Sequence, residues 1–277
     1  PAALAAKMHE LTDRLGLQAR IAHIEGDDIL AKLPELQAAG EKRAHLDTGR
    51  PLAGSNIQPI AANAYLGAWG IVEALNTGAD VVICPRVTDA SLVVGPSAWH
   101  FGWGKSDWDR LASSVVAGHI LECGAQATGG NYSFFQEVPG LQHPGFPIAE
   151  MHADGSFVVT KHEGTGGQVS VGTVTAQLLY EIEGERYMNP DVVARFDTIH
   201  LEQEGTDRVL VSGVRGESAP ATTKVCINYL GGFRNTMTFV LTGLDIEEKA
   251  KLVEETLLSA LGGREQFDEV TVKLTRS

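Results

Sequence analysis

The feature that most constrains the fold is a short apolar run, Val-Val-Ile-Cys at 81–84, which follows the turn residues Thr77 and Gly78. A run bounded in this way is typical of a strand buried in an α/β sheet. Four polar residues follow within one turn: Arg86, Thr88, Asp89 and Ser91. Because ligands of open α/β sheets bind beyond the carboxyl ends of the strands, this turn is a predicted substrate-binding site.

The flanking segments alternate between helical and strand patterns. Apolar spacing predicts helices over 2–15, 28–37 and 107–123, a helix within 61–76, and strands at 21–24 and 80–84. Residues 91–103 read as a helix interrupted at Gly95-Pro96. This order predicts an α/β domain over 1–138, with an open, mostly parallel Rossmann-like sheet and helices on both faces.

The pattern changes after Pro139, where prolines and glycines become frequent. Asp154-Gly155 predicts a hairpin turn, and segments 197–203 and 208–214 predict a second hairpin. The end of the chain reads as strands 223–230 and 236–241, a helix from Asp245, and a strand over 269–275. We therefore predict a second, α+β domain over 139–277 that ends in a ferredoxin-like unit.

The charge balance limits the class of partner. The chain has 22 basic and 35 acidic residues, a net charge of −13, which argues against nucleic acid and anionic membranes as partners. Its three cysteines are too few and too widely spaced for a disulfide framework, which favours a reduced, cytoplasmic setting. No apolar run reaches about 18 residues, so no membrane span is expected.

His119 and Glu122 stand three residues apart in the predicted helix 107–123 and should share one face. A histidine and a carboxylate at this spacing suit an acid–base pair or a metal site, although a hydrogen-bonded histidine at a helix end is an alternative. The sequence offers no evident third metal ligand and no cofactor signature, so we predict neither metal nor cofactor.

Two glycine-containing loops are further candidates for binding. The first combines two glycines with polar side chains: Gln126, Thr128, Gly129, Gly130 and Asn131. Exposed backbone N–H groups beside amides suit a carboxylate, a thioester carbonyl or a phosphate. The second, Gly166-Gly167, precedes a predicted helix and suits an anion, but it lacks the third glycine of a dinucleotide fingerprint.

Several long blocks, in order, resemble one known family. They are NAYLGAWGIVEALNTGADVVICPRVTDASLVVGPSAWHFGW, AGHILECGAQATGGNYSFF, EGTGGQVSVGTVTAQLLYEI and YMNPDV. Together they resemble the acyclic terpene utilisation (AtuA-type) family. Members of that family are longer at both ends, so the resemblance predicts further sequence upstream, including a first strand and loop. Cys84-Pro85 departs from the glycine that the resemblance leads us to expect before Arg86.

The resemblance implies bacterial breakdown of branched acyclic terpenoids such as citronellol and geraniol, handled as coenzyme A thioesters. It does not supply a reaction. We therefore expect an enzyme that acts on a branched acyl-CoA or the related acid by hydration, hydrolysis or lyase chemistry. In this hypothesis Arg86 holds an anion, Asp89 or Glu122 is the general base, and His119 relays protons.

The remaining polar groups complete that hypothesis. Gln126, Thr128 and the amides of Gly129 and Gly130 would stabilise a thioester oxyanion. The alternatives are a non-catalytic partner of a biotin-dependent acyl-CoA carboxylase, and a metal hydrolase that uses His119, Glu122 and an aspartate. In each case we expect a homo-oligomer whose ligand is a small acyl-CoA or branched acid.

Overall fold

The computed structural model describes residues 1–41 and 43–275. The chain divides into two compact units, Pro1–Leu230 and Gly231–Ser277. The core of the first unit contains residues from both sides of position 138, such as Val115 and Val116 on one side and Phe157 and Val159 on the other. The predicted domain boundary between 138 and 139 stays a prediction.

Within the described residues, the first unit contains six α-helices and eleven strands. The helices are α1 (Ala2–Leu15), α2 (Leu33–Ala38), α3 (Trp69–Asn76), α4 (Ser91–Phe101), α5 (Trp108–Glu122) and α6 (Val171–Leu178). The strands are β1 (Ile21–His23), β2 (Pro59–Ala64), β3 (Val81–Ile83), β4 (Pro147–Met151), β5 (Phe157–Lys161), β6 (Arg186–Met188), β7 (Val193–Arg195), β8 (His200–Gly205), β9 (Arg208–Ser212), β10 (Arg215–Glu217) and β11 (Val225–Tyr229). The second unit contains α7 (Ile246–Ala260).

The strands form four small sheets, and the fold is a mixed α/β arrangement. Strands β1 and β3 pair in parallel, whereas β2 pairs antiparallel with β11. A four-stranded sheet has the order β4-β5-β9-β8, and a three-stranded sheet has the order β10-β7-β6; the pairings in both are antiparallel. The predicted open, mostly parallel Rossmann-like sheet is therefore not confirmed.

One segment of the predicted α/β layer adopts a different secondary structure. Residues 61–64, Ala-Ala-Asn-Ala, were expected at the start of a helix, but they lie in β2 and pair with β11. A short run of small residues fits both a close-packed helix and a buried strand, and periodicity does not separate the two. Here the segment forms a strand because it pairs antiparallel with β11, which is far away in the sequence.

Several local predictions are confirmed. Gly16 ends α1 in the left-handed conformation, with φ of 65°. Both predicted hairpins form, as β4–β5 and β8–β9. The interruption predicted at Gly95-Pro96 is wrong, because α4 runs through both residues. Gly95 allows α4 to approach α3 closely, since a Cβ atom there would lie 2.7 Å from Ile71 Cβ.

The second unit contains the predicted helix, α7, but among residues 231–275 no strand is assigned. The predicted strand at 223–230 does form, as β11, yet it pairs with β2 instead of with residues 236–241. The ferredoxin-like unit is thus not confirmed. None of the helices in the described residues combines the length and the apolar character that crossing a membrane requires.

Helix α5 lies at the centre of the first unit. Ten consecutive residues, 111–120, are buried in it. The helix contacts α4 and α6 and the strands β4, β7 and β10. Gly118 allows a close approach to the turn after β3, because a Cβ atom there would lie 2.5 Å from Ala90 Cα. The polar turn that follows β3 is therefore held directly against α5, next to His119.

We expect Gly118→Ala to lower the free energy of unfolding by about 1–3 kcal/mol, because no rotamer change relieves a clash with backbone atoms. The loss should occur although alanine favours helices over glycine by about 1 kcal/mol. Gly184→Ala is the matched control, since nothing lies within 4 Å of a Cβ atom there. Urea unfolding measures both variants, and equal stability of the two would contradict the close approach of α5 and Ala90.

Candidate functional site

His119 and Glu122 lie on one face of α5, as their spacing predicts. His119 is buried, with 1% of its surface exposed. Its Nδ1 atom lies 3.1 Å from Glu122 Oε1, while its Nε2 atom has no hydrogen-bond partner. A carboxylate bonded to one ring nitrogen fixes the orientation of the imidazole and leaves the other nitrogen available.

Two aromatic side chains enclose the His119 ring. Tyr187, in β6, and Phe196, just after β7, have ring centroids 5.6 Å and 5.7 Å from that of His119. The Phe196 ring is in an edge-on arrangement against His119 and also against Tyr187. These rings make the surroundings of the imidazole apolar, which strengthens any hydrogen bond or charge interaction there.

Other buried polar side chains come together at the same place. Gln177 Nε2, from α6, donates to the His119 carbonyl oxygen at 3.2 Å, and the Gln177 side chain also lies beside the Cys123 thiol. Asn189 follows β6 and lies beside the Tyr187 hydroxyl. We name this group the His119 cluster, which comprises His119, Glu122, Cys123, Gln177, Tyr187 and Asn189.

The His119 cluster contains an unusual number of unsatisfied atoms. In the part of the chain that the structure describes, five buried side-chain polar atoms have no partner. Three belong to the cluster, namely His119 Nε2, Gln177 Oε1 and Asn189 Nδ2, and a fourth is Oε1 of the nearby Gln126. Because buried polar groups are nearly always hydrogen-bonded, such a concentration indicates a place where a ligand or water supplies the missing partners.

The electrostatic environment keeps two members of the cluster protonated. Burial raises the pKa of the Cys123 thiol, and the charges of Glu122, Glu181 and Asp89 raise it further. Burial, together with the charge of Glu122, also raises the pKa of Tyr187 to about 12. A thiol with a raised pKa is a poor nucleophile, so Cys123 is not suited to covalent catalysis.

The predicted turn after β3 forms, and its side chains have local partners. Thr88 Oγ1 and Ser91 Oγ are 2.7 Å apart, and Ser91 is buried. The Arg86 guanidinium lies 3.5 Å from Asp89 Oδ1, and the Asp89 side chain is 61% exposed. Because the charge of Asp89 acts on Cys123 and Tyr187, this turn and the His119 cluster share one region of the molecule.

Most of the polar groups of the first glycine loop form hydrogen bonds within the chain. Thr128 Oγ1 donates to the carbonyls of Ala125 and Gly145, and Asn131 Nδ2 donates to the Ala176 carbonyl. The N–H groups of Gly129 and Gly130 also donate within the loop. An N–H that already donates within the chain is not a free donor for a thioester oxygen, so the expected oxyanion role of these amides has no geometric support. Gln126 Oε1 also lacks a partner, but an amide oxygen accepts hydrogen bonds and therefore does not stabilise an oxyanion.

The second glycine loop also uses its amides internally. Gly166 N–H donates to the His143 carbonyl and Gly167 N–H to the Pro139 carbonyl. A Cβ atom at Gly167 would lie 2.7 Å from the Thr128 carbonyl oxygen, so this glycine allows the two loops to pack together. The predicted anion-binding role of Gly166 and Gly167 therefore lacks free donors.

Four residues of the site escaped the sequence analysis as functional candidates: Gln177, Glu181, Tyr187 and Asn189. Tyr187 and Asn189 lie in the block YMNPDV, and the polar residues of this block were the available signal. Glu181 has a positive φ of 60°, a strained conformation for a residue other than glycine. Among residues 1–41 and 43–275, no three His, Cys, Asp or Glu side chains are grouped to hold a metal ion.

Tyr187 provides a direct test of this environment. We expect the absorbance of the folded protein to show one tyrosine ionisation near pH 12. This step should be absent from Tyr187→Phe. It should remain in the control Tyr229→Phe, because Tyr229 is exposed. Because the pKa is raised on folding, the stability that the neutral phenol contributes is present below pH 10 and is lost as the pH rises through 12. Titration of Tyr187 near pH 10, while circular dichroism shows a native fold, would contradict the buried cluster.

The comparison with curated proteins gives no match, and neither does the comparison with solved structures. The model of one family, described as acyclic terpene utilisation family protein AtuA, matches residues 1–277. A match over the whole chain agrees with the resemblance of the sequence blocks. The chain therefore belongs to the AtuA family, which implies a part in acyclic terpene utilisation.

Proposed function

We propose that the chain is an enzyme of acyclic terpenoid breakdown that acts on a branched acyl-CoA thioester, or the related acid, by acid–base chemistry. The observation that carries the proposal is the geometry of His119. Its Nδ1 atom is bonded to Glu122, and its Nε2 atom is buried without a partner between aromatic rings. An oriented imidazole with one free nitrogen is suited to take up or deliver a proton.

The candidate reactions share one requirement. In hydration of an unsaturated thioester, in hydrolysis and in removal of a proton next to the carbonyl, negative charge develops on the thioester oxygen. Asn189 Nδ2 is a buried donor without a partner and is suited to stabilise that charge. His119 Nε2 then takes the proton from water or from the substrate carbon, and Glu122 stabilises the imidazolium that results.

The surroundings favour this route over a covalent one. Cys123 is the thiol closest in sequence to the His119–Glu122 pair. Burial and three neighbouring carboxylates raise the pKa of this thiol and so reduce its nucleophilicity. The rings of Tyr187 and Phe196 offer apolar contact to a branched hydrocarbon chain. Both features support a proton transfer that takes place in apolar surroundings.

The proposal is tested with purified protein and the coenzyme A thioesters of geranic and citronellic acids. We expect His119→Asn to reduce kcat by about 10²–10⁴-fold, the range that general acid–base groups contribute. Glu122→Gln should also lower kcat, because the amide does not stabilise an imidazolium. His152→Asn and Glu163→Gln are matched controls at exposed positions and should retain full turnover.

Two outcomes would contradict the proposal. Unchanged turnover in folded His119→Asn protein would remove His119 from the chemistry. Absence of turnover by the wild-type protein, combined with its co-purification with acyl-CoA carboxylase subunits, would favour the accessory role over catalysis.

A further inference from the structure

A second group of residues, outside the His119 cluster, places two cations on one aromatic ring. The Arg86 guanidinium carbon lies 5.1 Å from the centre of the Tyr65 ring, and Lys224 Nζ lies at the same distance from it. A cation over a tyrosine ring is a favourable arrangement, and here two cations share one ring in a chain with a net charge of −13.

Hydrogen bonds hold the main chain of both cationic residues. Tyr65 N–H donates to the Lys224 carbonyl at 2.9 Å, and Leu66 N–H donates to the Arg86 carbonyl at 3.0 Å. From the other side, the buried Asp27 carboxylate accepts the Arg86 N–H at 3.2 Å. The residues that carry the charges are therefore held in place by the fold, which lowers the entropy that a ligand must overcome.

A depression in the surface lies at this point. It has a volume of about 440 Å³ and is lined by Asn63, Tyr65, Pro85, Arg86, Cys226 and Asn228. Sites for small organic ligands have volumes of about 300–1,000 Å³, so this one is large enough for a nucleotide-sized group and larger than a single ion requires. Its lining combines aromatic and apolar surface with two side-chain amides.

The two cations are incompletely paired, although the carboxylates of Asp27 and Asp89 both lie beside Arg86. Arg86 has a long contact of 3.5 Å with Asp89, and its Nε donates to the Val87 carbonyl. Lys224 forms no ion pair with any residue that the structure describes. Both cations therefore retain donors for an anion, and a phosphate group accepts from arginine and lysine together.

We propose that Tyr65, Arg86 and Lys224 form a binding site for the phosphate-bearing nucleotide end of a thioester substrate. The inference rests on the proposed function, which supplies a substrate with such an end. Asp89 connects the two sites, since it contacts Arg86 and its charge acts on Cys123 and Tyr187 of the His119 cluster. The acyl end would then reach His119 while the nucleotide end stays at Tyr65.

Adenosine 3′,5′-bisphosphate, titrated into the whole protein by calorimetry, tests the site without any turnover. We expect binding that weakens as salt increases. Arg86→Gln and Lys224→Gln should each weaken it by about 5-fold to 50-fold, since each removes a charge-assisted contact. Lys251→Gln, at an exposed position in α7, is the matched control and should leave the affinity unchanged.

Two comparison ligands identify what the site recognises. Adenosine without phosphate should bind much more weakly, and inorganic phosphate should compete only at high concentration. Equal affinity of both variants and the wild type for the bisphosphate would overturn the inference, as would the absence of any binding. The proposed function would survive that failure, because the loss of kcat in His119→Asn does not depend on bisphosphate binding.

Discussion

The close packing of α5 against the turn at Ala90 is the constraint on which the site depends. Gly118 has no side chain, so the helix backbone comes within contact distance of Ala90. Helices α4 and α6 and strands β4, β7 and β10 also pack against α5, and ten consecutive residues of the helix, His119 among them, are buried. An imidazole in such a place needs partners within the protein, and Glu122 supplies one for Nδ1. The contact between Gly118 and Ala90 also brings Asp89 and Arg86 close to His119 and Glu122.

The cost of unsatisfied polar groups connects this packing to function. A buried donor or acceptor without a partner costs about 1–3 kcal/mol, and the His119 cluster contains three such atoms. Only two further buried side-chain atoms of the described residues, Arg43 Nε and Gln126 Oε1, lack a partner, so this concentration is consistent with a site that is completed by substrate. The glycine loops differ, because their amides bond within the chain and stabilise the loops themselves.

The sequence predicted local features better than long-range ones. The spacing of His119 and Glu122 placed them on one helix face, and turn residues located both hairpins. The pairing of β2 with β11 could not be read from the sequence, because it joins segments about 160 residues apart and leaves no periodic signal in either. For the same reason Gln177 and Asn189 were missed, since Gln177 contacts His119, and Asn189 contacts Tyr187, through tertiary packing.

The most direct test of the central claim is the ¹⁵N NMR signal of the His119 ring, measured with and without a non-hydrolysable analogue of a branched acyl thioester. We predict that the neutral ring carries its proton on Nδ1, bonded to Glu122, and that the Nε2 signal shifts when the analogue binds. A proton on Nε2 in the neutral ring, or an Nε2 signal that does not change at saturating analogue, would contradict the account.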